Sequence, residues 1–182
     1  MKRKRTKEIL AESFRELAEN RQVDKITIQE IVKNCDYSPA TFYRHFRDKY
    51  DLIAWDYVHR SGRIMDKVGV EDYKWKDTLT DGMKFFLNNK DYMQNLLRNT
   101  SGHDAFIRYL SQTNMEHLTN CILRLTGWKK LNTDIEILAR IYCFGTVLTV
   151  SQWLLDEIKC DSDYLAGIFD EALPEQLRNI LE

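Results

Sequence analysis

Apolar residues recur at helical spacing along almost the whole chain. Ile9, Leu10, Phe14, Leu17 and Ala18 make one face of a helix predicted over 6–20, with Lys7, Glu8, Arg15 and Glu16 outside it. Thr27 with Glu30 three residues later reads as a capping box, and Ile26 with Ile31 as a hydrophobic staple. Ile28, Ile31 and Val32 supply the buried stripe of this short second helix. Asn34-Cys35-Asp36-Tyr37 interrupts it. Ser38-Pro39 then starts a third helix, with serine at the N-cap and proline at the first helical position, running to about Phe46. Asp48, followed by Asp51, opens a long fourth helix over 49–67. Further helices are predicted over 75–88, 92–99, 104–126, 134–158, 163–173 and 175–181, with Gly69, Gly102 and Gly127 marking breaks.

The expected fold class is therefore all-α. A three-helix module with a helix-turn-helix occupies residues 1–50. A long fourth helix joins it to a helical domain over 51–182. Two prolines and seven glycines in 182 residues agree with this, and 43% hydrophobic with 30% charged residues is ordinary for a soluble protein. The basic start, Met1 to Arg5, is not followed by an apolar signal core. The apolar stretch 135–155 is broken by Glu136, Arg140 and Gln152, so no membrane span is expected and the localisation reads as cytoplasmic. Cys35, Cys121, Cys143 and Cys160 stand far apart, which points to plain thiols with no metal site, disulfide framework or cofactor.

Charge sharpens the picture. Net charge is −1, yet residues 1–50 carry twelve Lys and Arg against eight Asp and Glu, and the remainder fifteen against twenty. A basic head on an acidic body suits a head that alone meets a polyanion. In Ser38-Pro-Ala-Thr-Phe-Tyr-Arg-His-Phe46, Phe42 and Phe46 would face inward, leaving Pro39, Ala40, Thr41, Tyr43, Arg44 and His45 for a DNA groove. Backbone N–H groups near Thr27 and Ser38 would suit phosphates. The competing readings make Tyr43 a core residue and His45 a packing residue. A flexible arm at Arg3 and Arg5 is weighed against a solvated tail. No nucleophile and base at working spacing, no phosphate loop and no HExxH motif is present, so an enzyme is not expected.

The segment from Thr27-Ile-Gln-Glu-Ile-Val through Ser38 to Lys49 and Leu52 resembles the DNA-binding domain of TetR-family transcriptional regulators, over residues 6 to about 55. The resemblance implies base or backbone contacts from Thr41, Tyr43 and His45, and phosphate contacts from Lys49 and Thr27. One departure is the turn: the family's Ala-Gly is replaced by Cys35-Asp36, and Asp tolerates a left-handed conformation better than most residues. Tyr37 also replaces a small apolar residue. Farther on, Ile141-Tyr-Cys-Phe-Gly145, Trp153-Leu-Leu-Asp-Glu157 and Leu173-Pro-Glu-Gln-Leu177 are similar to a subgroup that includes dihydroxyacetone-kinase operon regulators.

The resemblance implies a homodimer on a palindromic double-stranded DNA operator. The apolar coat of 141–158 gives that a motive, and Val147, Ser151, Leu154, Leu155, Ile158, Leu165, Ile168 and Phe169 are the expected interface. Phe86, Phe106, Tyr109, His117 and Tyr142 are the candidates to line an effector pocket, with His103 as a further polar candidate. Control by a small molecule is one reading. Activation through a protein co-regulator is the other.

Overall fold

The computed structural model describes residues 5–100 and 103–182, apart from the side chains of residues 63 and 103–105. Helices α1 (Thr6–Ala18), α2 (Ile28–Asn34) and α3 (Pro39–Tyr43) form the head, with a 3-10 turn at Val23–Lys25. Then come α4 (Lys49–Met65), α5 (Trp75–Asn88), α6 (Lys90–Asn99), α7 (His103–Thr126), α8 (Thr133–Leu154), α9 (Ser162–Glu171) and α10 (Glu175–Leu181). Among the described residues there is no strand, so the all-α expectation holds. Gly102 and the Arg3 arm lie outside the described residues, as does the side chain of His103.

Two buried clusters hold the molecule together. The larger begins with Leu10, Phe14, Ile31 and Phe42 in the head and Leu52 at the start of α4. It continues through Met93, Leu97 and Leu110 to Val147 and Leu154, so head and body share one core. The smaller gathers Trp75, Leu118, Ile122, Ile135, Leu173 and Leu177 at the other end. Gly69 and Gly127 take left-handed backbone at φ 74° and 72°, as breaks should.

The main disagreement with the pattern is the end of α8. The apolar run continues to Ile158, but the helix stops at Leu154. Asp156 adopts φ 64°, its N–H bonds Trp153 O at 3.1 Å, and Glu157 N–H bonds Gln152 O at 3.0 Å. That is a Schellman ending with Asp where Gly is usual. Trp153 then donates its indole N–H to Cys160 O at 2.9 Å, tying the returning loop to the helix. α8 is long and apolar enough to cross a membrane by length and composition alone, but much of it is packed inside the fold.

Candidate nucleic-acid interface

The head is built from local signals. Thr27 Oγ1 accepts from Glu30 N–H at 3.3 Å, and Glu30 Oε2 accepts from Thr27 N–H at 2.8 Å. Arg21 donates to Glu30 Oε1 at 2.6 Å. Those bonds, with Arg21 foremost and Thr27 next, hold the Glu30 carboxyl down at about 2. α2 closes with Asp36 N–H to Lys33 O at 3.4 Å and Tyr37 N–H to Val32 O at 2.8 Å, with Asp36 at φ 56°. Aspartate thus occupies the left-handed turn position, as expected. Tyr37 is half-buried against the core.

Ser38 Oγ accepts from Thr41 N–H at 3.2 Å and caps α3. Backbone bonds from His45 and Phe46 N–H to Phe42 O, at 2.9 and 3.0 Å, carry the helical turn on to Phe46. Phe42 and Phe46 are buried, 5.7 Å apart between ring centroids. Phe46 also meets Trp55 at 5.8 Å, with Lys7 Nζ over both rings. The inward face is therefore fixed by aromatic packing.

The outward face carries Pro39, Ala40, Tyr43 and Arg44, all exposed. Tyr43 is 58% exposed, which rules out its core reading. His45 is half-buried. Thr41 is half-buried, and its hydroxyl lies 3.1 Å from Ser38 Oγ and accepts from Arg44 at 3.2 Å. Ser38, Thr41 and Arg44 thus form one polar surface whose bonds a ligand can exchange.

Lys49 departs from its expected role. Its Nζ donates to Val23 O at 3.0 Å, Asp24 O at 2.9 Å and Ile26 O at 3.0 Å. An ammonium has three protons, and all three are committed to the loop before α2. Partial burial also lowers its pKa. Lys49 is a staple, with no proton left for phosphate. An exposed cation that sequence reasoning passed over is Arg47, whose side chain is 88% exposed and 3.7 Å from Asp51 in a loose pair. No periodicity marks it, because it lies in the turn between α3 and α4.

Polar groups join head to body. Arg15 of α1 bonds the buried Asp56 of α4, and Arg60 reaches the same carboxylate at 3.7 Å. Burial raises the Asp56 pKa against the pull of both arginines. Asn95 of α6 accepts from Val23 N–H at 3.2 Å and donates to Ala18 O at 2.8 Å and Arg21 O at 2.7 Å. These bonds tie α4 and α6 to the head.

In the body, residues of α4 to α9 line a partly open cavity of about 110 Å³. Phe86, His117 and Tyr142 line it as expected; Phe106 and Tyr109 do not. α7 turns Leu110, Asn114 and His117 toward the cavity. Phe106 is buried in the core shared with the head, and Tyr109 is half-buried against that core. Met65, Met83 and Met93, also on the wall, carried no distinguishing signal in the sequence.

The expected dimer residues divide. Val147, Ser151, Leu154, Leu165 and Phe169 are buried within the protomer and have no surface to offer a partner. Leu155 and Ile158 are half-buried beyond the end of α8. Ile168 is exposed, with Tyr164 one turn before it on α9. On α8 the apolar residues left in solvent are Ile137, Ile141 (65% exposed) and Leu148. The correction follows from helix phase: these three lie at spacings of four and seven, on the side opposite the core.

Residues 9–54 match the family described as bacterial regulatory proteins, tetR family. Residues 73–174 match the one described as transcriptional regulator C-terminal region. Among solved structures, the dihydroxyacetone kinase operon activator DhaS superimposes with TM-score 0.67 at 15% identity, covering 97% of this chain and 98% of that one. The TetR family repressor AlkX from Dietzia sp. strain DQ12-45-1b, implicated in biodegradation of n-alkanes, gives 0.59 at 16% identity over the full length of both chains. At such identities the likeness is one of fold.

Proposed function

The chain belongs to the TetR family of bacterial transcriptional regulators, DNA-binding proteins without enzymatic activity, and we propose that it acts as a homodimer on a palindromic operator under control of a small effector. The observation that carries the DNA reading is Tyr43, exposed beside Pro39, Ala40 and Arg44 on a helix pinned from behind by Phe42 and Phe46. A major groove about 12 Å wide admits one such helix. Arg44 and Tyr43 offer hydrogen bonds to bases, and Pro39 and Ala40 at the helix start permit close approach. Ser38, Thr41 and His45 flank them, and Thr27 lies at the start of α2.

A partner copy would cover Ile137, Ile141, Leu148, Tyr164 and Ile168, and would supply the second recognition helix. The cavity supports a small-molecule effector over a protein co-regulator. DhaS is named an activator and AlkX a repressor, so one fold serves both directions of control.

The test is titration of the full-length protein against a duplex chosen for tight binding. Tyr43→Ala should weaken it by about 1–3 kcal/mol, the worth of a specific contact, with an unchanged urea midpoint. Equal affinity of variant and wild type would remove Tyr43 from the interface and the docking geometry with it.

A further inference from the structure

The wall of the body cavity decides what chemistry it can accept. Among the described residues, no Asp, Glu, Lys or Arg lines it. Three methionines and the rings of Trp75, Phe85 and Phe86 dominate it. An ionised guest would surrender its hydration there with no countercharge, which is unfavourable. The volume, about 110 Å³, exceeds that of several waters and approaches the roughly 150 Å³ apolar cavity known to take benzene. Methionine walls yield to irregular shapes, so a ring slightly larger than the resting space can be admitted.

Several polar groups of the wall are already bonded within the protein: Ser61, Tyr142, Thr146 and Ser151 to backbone carbonyls, and Trp75 to Tyr142. Asn114 accepts from the Tyr57 hydroxyl at 3.4 Å. His117 lines the same wall one turn further along α7, and its imidazole has no hydrogen-bond partner among the described residues. The buried Thr78 hydroxyl has none of normal geometry among them either, with the Tyr73 hydroxyl as its polar neighbour. His117 also presses on α4: a Cβ placed on Gly62 would stand 2.7 Å from its Cε1. His117, with no hydrogen-bond partner among the described residues, therefore lies against the helix that leads to the head.

We propose that the cavity takes an uncharged, single-ring aromatic or similarly compact apolar molecule carrying one hydrogen-bonding group, which His117 and Asn114 receive. This rests on the effector reading above and names the class of effector. A neutral hydroxyl can donate to an imidazole nitrogen of His117 or accept from the Asn114 amide while its ring packs on the methionines. A carboxylate of the same size meets no countercharge among the described lining residues.

The probes are phenol and benzoate at neutral pH, added to the full-length protein, with thermal unfolding and calorimetric titration as readouts. Phenol should bind saturably and raise the Tm; benzoate should do neither. His117→Leu and Asn114→Leu should each weaken phenol at least tenfold while leaving toluene binding within about threefold, which separates a lost hydrogen bond from a damaged cavity. Should either variant fail to fold, the other together with the phenol and benzoate comparison decides. Binding of benzoate as tight as phenol overturns the proposal. So does the absence of phenol binding at millimolar concentration in protein that still binds its operator, or phenol affinity unchanged in both variants. Phenol bound with wild-type selectivity by a protein that binds no DNA would instead remove the operator reading and leave the cavity chemistry standing.

Discussion

Lys49 shows how one side chain can serve the head without touching DNA. Its ammonium closes three carbonyls of the loop between α1 and α2, so the start of α4 and the entry to α2 are fixed to one another. Hydrogen bonds from a charged donor are worth about 1.5–3 kcal/mol when both partners are shielded. Lys49 is only partly buried, so Lys49→Ala should destabilise by about 1–3 kcal/mol in urea unfolding. The salt dependence of operator binding should stay as it is. Arg47→Ala should do the reverse: unchanged stability, and a slope of log K against log salt smaller by about 1, as one phosphate contact is lost. A slope that falls in the Lys49 variant and holds in the Arg47 variant would reverse these assignments. The sequence showed that a lysine belongs at this position. It could not show that three carbonyls from residues 23–26 converge on it, because that meeting is a product of tertiary folding.

At the scale of elements, the ends of helices carry the lesson. α2 and α8 both stop in a left-handed aspartate, Asp36 and Asp156. The first was legible because the neighbouring motif demanded a turn; the second was not, because Leu155 and Ile158 extend the apolar pattern past it. Left-handed backbone costs a residue with a Cβ about 1–2 kcal/mol, and glycine gives back about 0.5–1 through its freer unfolded chain. Asp36 is exposed, so Asp36→Gly should stabilise the protein by about 0.5–1 kcal/mol, and Asp36→Val should destabilise it. Chemical denaturation of both variants checks the sign. Caps with a side-chain acceptor were easier to read: Thr27, Ser38 and Asp48 each bond the backbone N–H three residues on. The pocket-lining residues of α7 were only partly legible. Apolar and polar positions alternate around that helix without a clean stripe, since one part of it meets the head core and another the cavity.

For the molecule as a whole, the shared core gives a change in the body a continuous packed route to the head. Asp56 with Arg15 and Asn95 with the 18–23 loop add polar links to that apolar continuity. The same core also takes up four of the residues expected at the dimer interface, Val147, Leu154, Leu165 and Phe169. A helix apolar on two sides signals two burials, but periodicity alone does not say which side is the protomer's own. With Ile141 and Leu148 both exposed on α8, the double substitution Ile141→Glu, Leu148→Glu should give a folded monomer in sedimentation, with unchanged helix content. Val147→Ala, inside the core, should lower stability and leave the dimer intact. Dissociation caused by the second and not by the first would place the interface elsewhere.

The most direct test of the central claim is selection of bound DNA from a random duplex pool at low ionic strength. Two inverted half-sites should be enriched, centred about 34 Å apart or a multiple of that, and Tyr43→Ala protein should fail to enrich them. A pool that stays random with wild-type protein, or the same enrichment by the Tyr43 variant, would contradict a paired recognition helix opening at Ser38.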